Sequence, residues 1–299
     1  MKKVLLAILS LVMACGIGIA AVGCADNTSS DASGTIIVVS REDGSGTRSA
    51  FIELTGIETD EDGDRTISSA MITNSTNMVL TTVADAVNAI GYVSMGSLND
   101  QVKALSVDGV AATAENVLAG TYKLARPFNI AYSKTASANA IRDDFVKYIY
   151  SDQGQAIVTQ ENYIAIPEGD DQRTGSYTSP GSLSGSITVG GSSSVSPLME
   201  KLIEAYEALN SGVTINLQTS DSTAGMSGAA EGTFDIGMAS RELRAAELES
   251  LTGMAIAQDG IAVVVNPSNS LSNIEMTMIC NIYIGQVTTW EQVKGESAE

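Results

Sequence analysis

The chain contains no histidine. That absence removes every Ser-His and Cys-His nucleophile pair and the imidazole ligands of ordinary zinc sites. Cysteine is scarce as well. Cys15, Cys24 and Cys280 show no C-x-x-C spacing, so neither a disulfide framework nor a zinc ribbon is indicated, and Cys280, in an apolar run, reads as a small buried hydrophobe. Basic residues number 16 against 35 acidic ones, a net charge of −19. Binding a phosphate backbone needs a concentrated basic face, so nucleic acid is not an expected partner. Any anion must be held by local donors, against an unfavourable global field. No G-x-x-x-x-G-K-[ST] occurs, which excludes a P-loop nucleotide site. Without histidine, G-x-S-x-G or a dense carboxylate cluster, no enzyme, cofactor or metal site is expected. What remains is 299 residues of ordinary globular composition, 44% apolar, enough for two lobes.

Lys2 and Lys3 precede an apolar stretch from Val4 to Val22, closed by "AVGC" (Ala21–Cys24). This reads as an export signal and resembles a bacterial lipobox with Cys24 as the acylated residue. Residues 1–24 are then a lipoprotein signal peptide and 25–35 a polar tether. The alternative is a transmembrane anchor, since about 19 apolar residues can span a bilayer. Cys15 is a second lipidation candidate, whose use would leave "GIGIAAVG" exposed.

From Thr35 onward strand-like and helix-like runs alternate, which points to an α/β fold. The strand-like runs are 35–40, 90–95, 128–133, 186–191, 213–220, 234–240 and 261–266. In "PLMEKLIEAYEAL", Leu198, Leu202, Tyr206 and Leu209 recur at helical spacing, with Pro197 suited to the first turn and Ser196 to the cap. A second helix is expected from about Asn139 to Tyr150. Residues 167–185, rich in Gly, Ser, Thr and Pro and without apolar period, read as a flexible linker.

The chemistry gathers at three strand-to-helix turns. In "VVSREDGSGTRSAF" (Val38–Phe51), Gly44 and Gly46 allow a close turn, and Ser45 and Thr47 set hydroxyls beside the free N–H groups of the next helix, where the dipole favours an anion. Arg41 can offer a forked guanidinium, with Asp43 placed to orient it. By itself such a turn is also just a capped helix with a surface ion pair. "GGSSSVSPLMEKL" and "QTSDSTAGMSGAA" repeat the pattern, and three converging N-termini suit a small oxyanion.

Those stretches, with "FDIGMASREL", "DGIAVVVNPSN", "IGQVTTWEQV", "AIGYVSMGSL" and "FVKYIYSDQGQAIV", resemble the phosphate-binding proteins of the bacterial high-affinity phosphate ABC importer, over nearly the whole chain after the tether. The resemblance implies a type II periplasmic-binding-protein fold, two α/β lobes joined by a hinge with the ligand cleft between them. It also implies a lipid-anchored protein on the extracytoplasmic face of the membrane, with inorganic phosphate and the importer permease as partners. A surface phosphate-sensing or adhesion protein on the same fold, or a binder of another tetrahedral oxyanion such as sulfate, is the alternative.

In the family "ITVGGSSS" opens the mature protein and "VSREDGSGTR" follows "TTW"; here the second half comes first. The order implies a circular permutation, with 167–185 joining the usual ends. One lobe is then continuous, 126–265, and the other is assembled from 36–125 and 266–299. Carried over by motif, the phosphate shell is Arg41, Ser45, Gly46, Thr47, Ser193, Ser194 and Ser222, with Asp43 orienting Arg41. The family places an acid after the serine of its "ASD" motif to accept the phosphate proton. Arg241 stands there in this chain as a second positive ligand, which leaves Asp221, Glu242 and Asp259 as candidate acceptors.

Overall fold

The computed structural model describes residues 31–295. The expected signal peptide, Cys24, Cys15 and most of the tether lie outside the described residues. Among the described residues no helix is long and apolar enough to cross a membrane.

Eight strands frame the molecule: β1 (Ile37–Arg41), β2 (Met71–Thr73), β3 (Ala89–Ser94), β4 (Ala125–Ser133), β5 (Gly185–Ser192), β6 (Val213–Ser220), β7 (Ile236–Ala239) and β8 (Leu251–Val265). They lie in one sheet in the order β6-β5-β7-β4-β8-β3-β1-β2. The sets at either end are parallel, and β4 and β8 run antiparallel to their neighbours. Parallel neighbours need crossover connections, which the helices between them supply.

The long strand β8 divides the molecule. Its first part, from Leu251 to Gly260, pairs with β4, and Ile261–Val265 pairs with β3. At a rise of roughly 3.3 Å per residue such a strand is about 50 Å long, so it leaves one core and enters another. The first core holds Phe128, Phe145, Leu202, Tyr206, Ile236 and Ile256. The second holds Phe51, Tyr92, Ile261, Val263, Tyr283 and Trp290. Residues 261–265, expected in the first lobe, therefore pack with the second, and the crossing falls at Asp259–Gly260 opposite Arg126–Ala125. A run that is apolar on both faces looks the same whichever core it enters, so the sequence could not place that boundary.

Four helices lead into the site, α1 (Gly46–Leu54), α2 (Thr76–Asp85), α4 (Ser196–Leu209) and α5 (Ser222–Glu231), while α3 (Ala140–Ile149) packs in the first core. In α4, Leu198, Leu202 and Tyr206 are buried and Pro197 sits in the first turn, but the cap position falls to Val195 rather than Ser196. Ser196 Oγ instead donates to the Ser192 carbonyl at 3.2 Å.

Residues 167–185 are not a loose linker. Tyr177 is buried, and its hydroxyl donates to Asp144 of α3 at 2.5 Å; Ser179 Oγ donates to Asn210 at 2.6 Å, and Ser151 bridges to Gly175. One aromatic anchor suffices to seat a segment whose composition shows no apolar period. The two ends of the described chain are also stitched together. Ile36 N–H donates to the Thr288 carbonyl at 2.8 Å, Trp290 N–H to Gly34 at 3.0 Å, and Lys294 pairs with Asp31 at 2.6 Å.

Candidate functional site

Four helix N-termini meet between the lobes. Strands β1 and β2 lead into α1 and α2 in one lobe, and β5 and β6 lead into α4 and α5 in the other. Parallel strands deliver the N-termini of their following helices to one edge of the sheet, where the unpaired N–H groups and dipoles favour negative charge. Ser45 caps α1 by accepting from Arg48 N–H at 3.3 Å, Ser75 caps α2, and Asp221 caps α5.

A buried hydroxyl cluster fills the space between them. Thr47 Oγ1 lies 2.8 Å from Ser194 Oγ, and Thr76 Oγ1 lies 3.1 Å from the same atom. Ser192 Oγ donates to Ser240 Oγ at 2.9 Å, and Ser240 N–H donates to Ser222 Oγ at 3.0 Å. Arg41, almost fully buried, donates from Nη2 to Ser193 Oγ at 3.1 Å and from Nη1 to Thr76 Oγ1 at 3.3 Å. The lobes approach closely here: a Cβ on Gly46 would sit 2.3 Å from Ser222 Oγ and one on Gly44 2.4 Å from Asp221 Oδ1, so either would displace a side chain of the opposite lobe.

Arg41, Ser45, Gly46, Thr47, Ser193, Ser194 and Ser222 thus come together, although about 150 residues separate the two groups in sequence. Two expected residues do not join them. Asp43 is 98% exposed in its side chain and faces Arg48 at 3.6 Å, so it does not orient Arg41. Glu42 does so instead, accepting from Nε at 2.8 Å and Nη2 at 2.7 Å in a two-pronged pair. Arg241 turns its fork to Glu247, at 2.7 and 2.8 Å, and meets the cluster side only through Thr223 at 3.5 Å. A full carboxylate outcompetes neutral hydroxyls for a guanidinium, and the i, i+6 spacing of that pair carries no sequence signal.

None of the three candidate proton acceptors bonds to the cluster. Asp221 spends Oδ1 on the α5 cap, Glu242 is exposed, and Asp259 is held by Arg126 and Ser94. Burial pushes the Asp259 carboxyl up to about 6 and the Arg126 guanidinium down, so desolvation outweighs their mutual attraction.

Thr76, Ser192, Ser240 and Glu42 escaped the sequence reading. Thr76 was accessible to it, since "NSTN" after a short apolar run repeats the strand, hydroxyl, helix pattern. Ser240 was marked only by the resemblance, as the serine before Arg241 in "FDIGMASREL", and not by a strand-to-helix turn. Behind the cluster, the Tyr92 hydroxyl accepts from Arg41 N–H at 3.2 Å and is hydrogen-bonded to Ser40 Oγ at 2.8 Å, while its ring stacks on Phe51 at 3.9 Å. Burial raises the Tyr92 pKa, keeping the phenol neutral and able to serve as both donor and acceptor. A groove of about 800 Å³ beside the cluster is lined by Arg48, Arg126 and Arg241 but also by Asp43, Asp64 and Glu242. Its mixed charge gives no net pull on an anion, which the hydroxyl cluster and Arg41 do.

Comparison with known proteins agrees with this architecture. The PBP superfamily domain matches residues 26–153 and 176–299. The phosphate-binding protein PstS 2 of Streptococcus agalactiae is 44% identical over 297 residues, 98% of this chain and 99% of that protein. A crystal structure of a phosphate-binding protein of a phosphate ABC transporter from Streptococcus pneumoniae is 49% identical, with a TM-score of 0.68, over 87% of this chain and all of that one. The PstS of Bacillus subtilis is 35% identical over 137 residues, 44% of this chain and 42% of that protein. The chain therefore belongs to the PBP superfamily and, within it, to the PstS proteins.

Proposed function

We propose that this protein captures inorganic phosphate outside the cell and delivers it to the permease of an ABC importer. The observation that carries the reading is the buried cluster in which Arg41 and hydroxyls from both lobes face one another among four helix N-termini. Hydroxyls both donate and accept, so a protonated phosphate oxygen finds an acceptor there that fully ionised sulfate cannot use. Calorimetric titration is expected to give phosphate a Kd of about 1 μM or tighter, near −8 kcal/mol, with sulfate clearly weaker. Equal affinities would sink the phosphate reading in favour of a general oxyanion binder.

The export signal and tether motivate a lipid anchor at Cys24 on the extracytoplasmic face. Cys24→Ala is expected to move the protein from the membrane to the soluble fraction. Equal membrane retention of mutant and wild type would remove the anchor.

The reversed order of motifs is read as a circular permutation closed within one chain. In support, the S. agalactiae relative aligns end to end, whereas the B. subtilis relative aligns over less than half of either chain, as a sequence with its halves exchanged would. The two domain matches also break across residues 154–175, a gap that overlaps the segment that would join the old ends.

A further inference from the structure

Two buried, oppositely charged side chains stand at the crossing between the lobes, outside the hydroxyl cluster. Arg126 on β4 and Asp259 on β8 are register partners, and Asp259 Oδ2 accepts from Arg126 Nε at 3.3 Å and Nη2 at 3.1 Å. The pair reaches in opposite directions. Asp259 Oδ1 accepts from Ser94 Oγ at 2.9 Å in the second lobe. Arg126 Nη1 donates to the Ser240 carbonyl at 3.0 Å in the first lobe. Three residues along β4, Asn129 Nδ2 donates to the Arg241 carbonyl at 2.8 Å. The Ser94–Gly96 end is itself held: a Cβ on Gly96 would sit 2.2 Å from the Tyr163 ring.

Burying an ion pair is rarely a net gain in stability, because desolvation offsets the attraction. In this one, Arg126 Nη1 reaches the backbone carbonyl of a residue in the cluster. Ser240 is the junction there: its N–H holds Ser222 and its hydroxyl takes the Ser192 proton.

We infer that Arg126 and Asp259 are positioning residues for anion capture, tying the Ser240 turn of one lobe to the Ser94–Gly96 turn of the other so that Ser222 and Ser240 meet Gly46 across the cleft. The inference rests on the phosphate-binding reading. Neither residue touches the anion, and their effect passes through Ser240.

The test is a double-mutant cycle on phosphate affinity, read by calorimetry, with thermal melts of the unliganded proteins alongside. Arg126→Gln and Asp259→Asn are each expected to weaken phosphate roughly five- to a hundredfold, the range for a buried polar group losing its partner. Adding Ser240→Ala to Arg126→Gln is expected to weaken binding far less than Ser240→Ala does in the wild type, since the turn is already released. A purely structural role would lower the melting temperature and leave the two affinity losses additive. Unchanged phosphate affinity in folded single variants, or additive losses, overturns the inference. If Arg126→Gln does not fold, the same cycle is run with the near-isosteric Asp259→Asn. A wild-type protein that binds no phosphate overturns the functional reading, and the inference with it.

Discussion

Replacing Arg41 by alanine is expected to weaken phosphate binding by about 2–5 kcal/mol, the usual loss when one member of a buried, hydrogen-bonded charge pair is truncated. In affinity this is roughly thirtyfold to a few thousandfold. Three effects add up. The anion loses the sole guanidinium fork directed into the cluster among the described residues, and Ser193 Oγ loses its 3.1 Å donor. Glu42 also loses both partners and leaves a carboxylate beside the site, where it repels an anion. Arg41→Lys keeps the charge but cannot reach Glu42, Thr76 and Ser193 together, so it should fall between alanine and wild type. Folding should suffer less than binding, because Glu42 is partly exposed and can turn to water. Calorimetric affinity of Arg41→Ala within threefold of wild type would remove Arg41 from the site.

Trp290→Ala is expected to cost about 3–5 kcal/mol of stability, the range for deleting a large buried aromatic. Trp290 is fully buried in the second core, and its Nε1 donates to the Asn88 carbonyl at 3.0 Å. Its backbone N–H holds Gly34, so it also fastens the late part of the chain to the early part. Through the indole bond to Asn88 the position also tests whether the early and late parts close within one chain. With both ends in one chain, denaturant midpoints of wild type and mutant are independent of protein concentration. Were the halves exchanged between molecules, both midpoints would rise with concentration by mass action. A loss below about 1 kcal/mol would refute the burial of Trp290 in the core, and a concentration-dependent midpoint would refute closure in cis.

Many residues of the hydroxyl cluster and several of the folded segments were legible in sequence for local reasons. A turn that joins a strand to a helix must supply small residues and cap the helix, so "REDGSGT", "GSSSV" and "SDSTAG" announced themselves whatever surrounded them. Helix α4 was legible because its buried face repeats at helical spacing. The first ten residues of β8, "LTGMAIAQDG", were not, since a strand crossing between lobes is half-covered on varying sides and shows no clean alternation.

The pairings within the site depended on tertiary structure. Sequence placed an acid two residues from Arg41, but whether Glu42 or Asp43 orients it depends on how the backbone leaves β1, and that is fixed by Glu42 N–H donating to Thr73 on the neighbouring strand. It placed Arg241 after a cluster serine, but a carboxylate six residues on claimed the guanidinium first. Asp259 read as one acid among several. Only the register of β8 on β4 set it opposite Arg126, in a crossing where both charges are withdrawn from water. Composition, caps and apolar period are properties of a few consecutive residues and survive any rearrangement of the rest, including the exchange of two halves. Which charge meets which, and which lobe a strand finally enters, are long-range properties, and they exist only once the chain has closed.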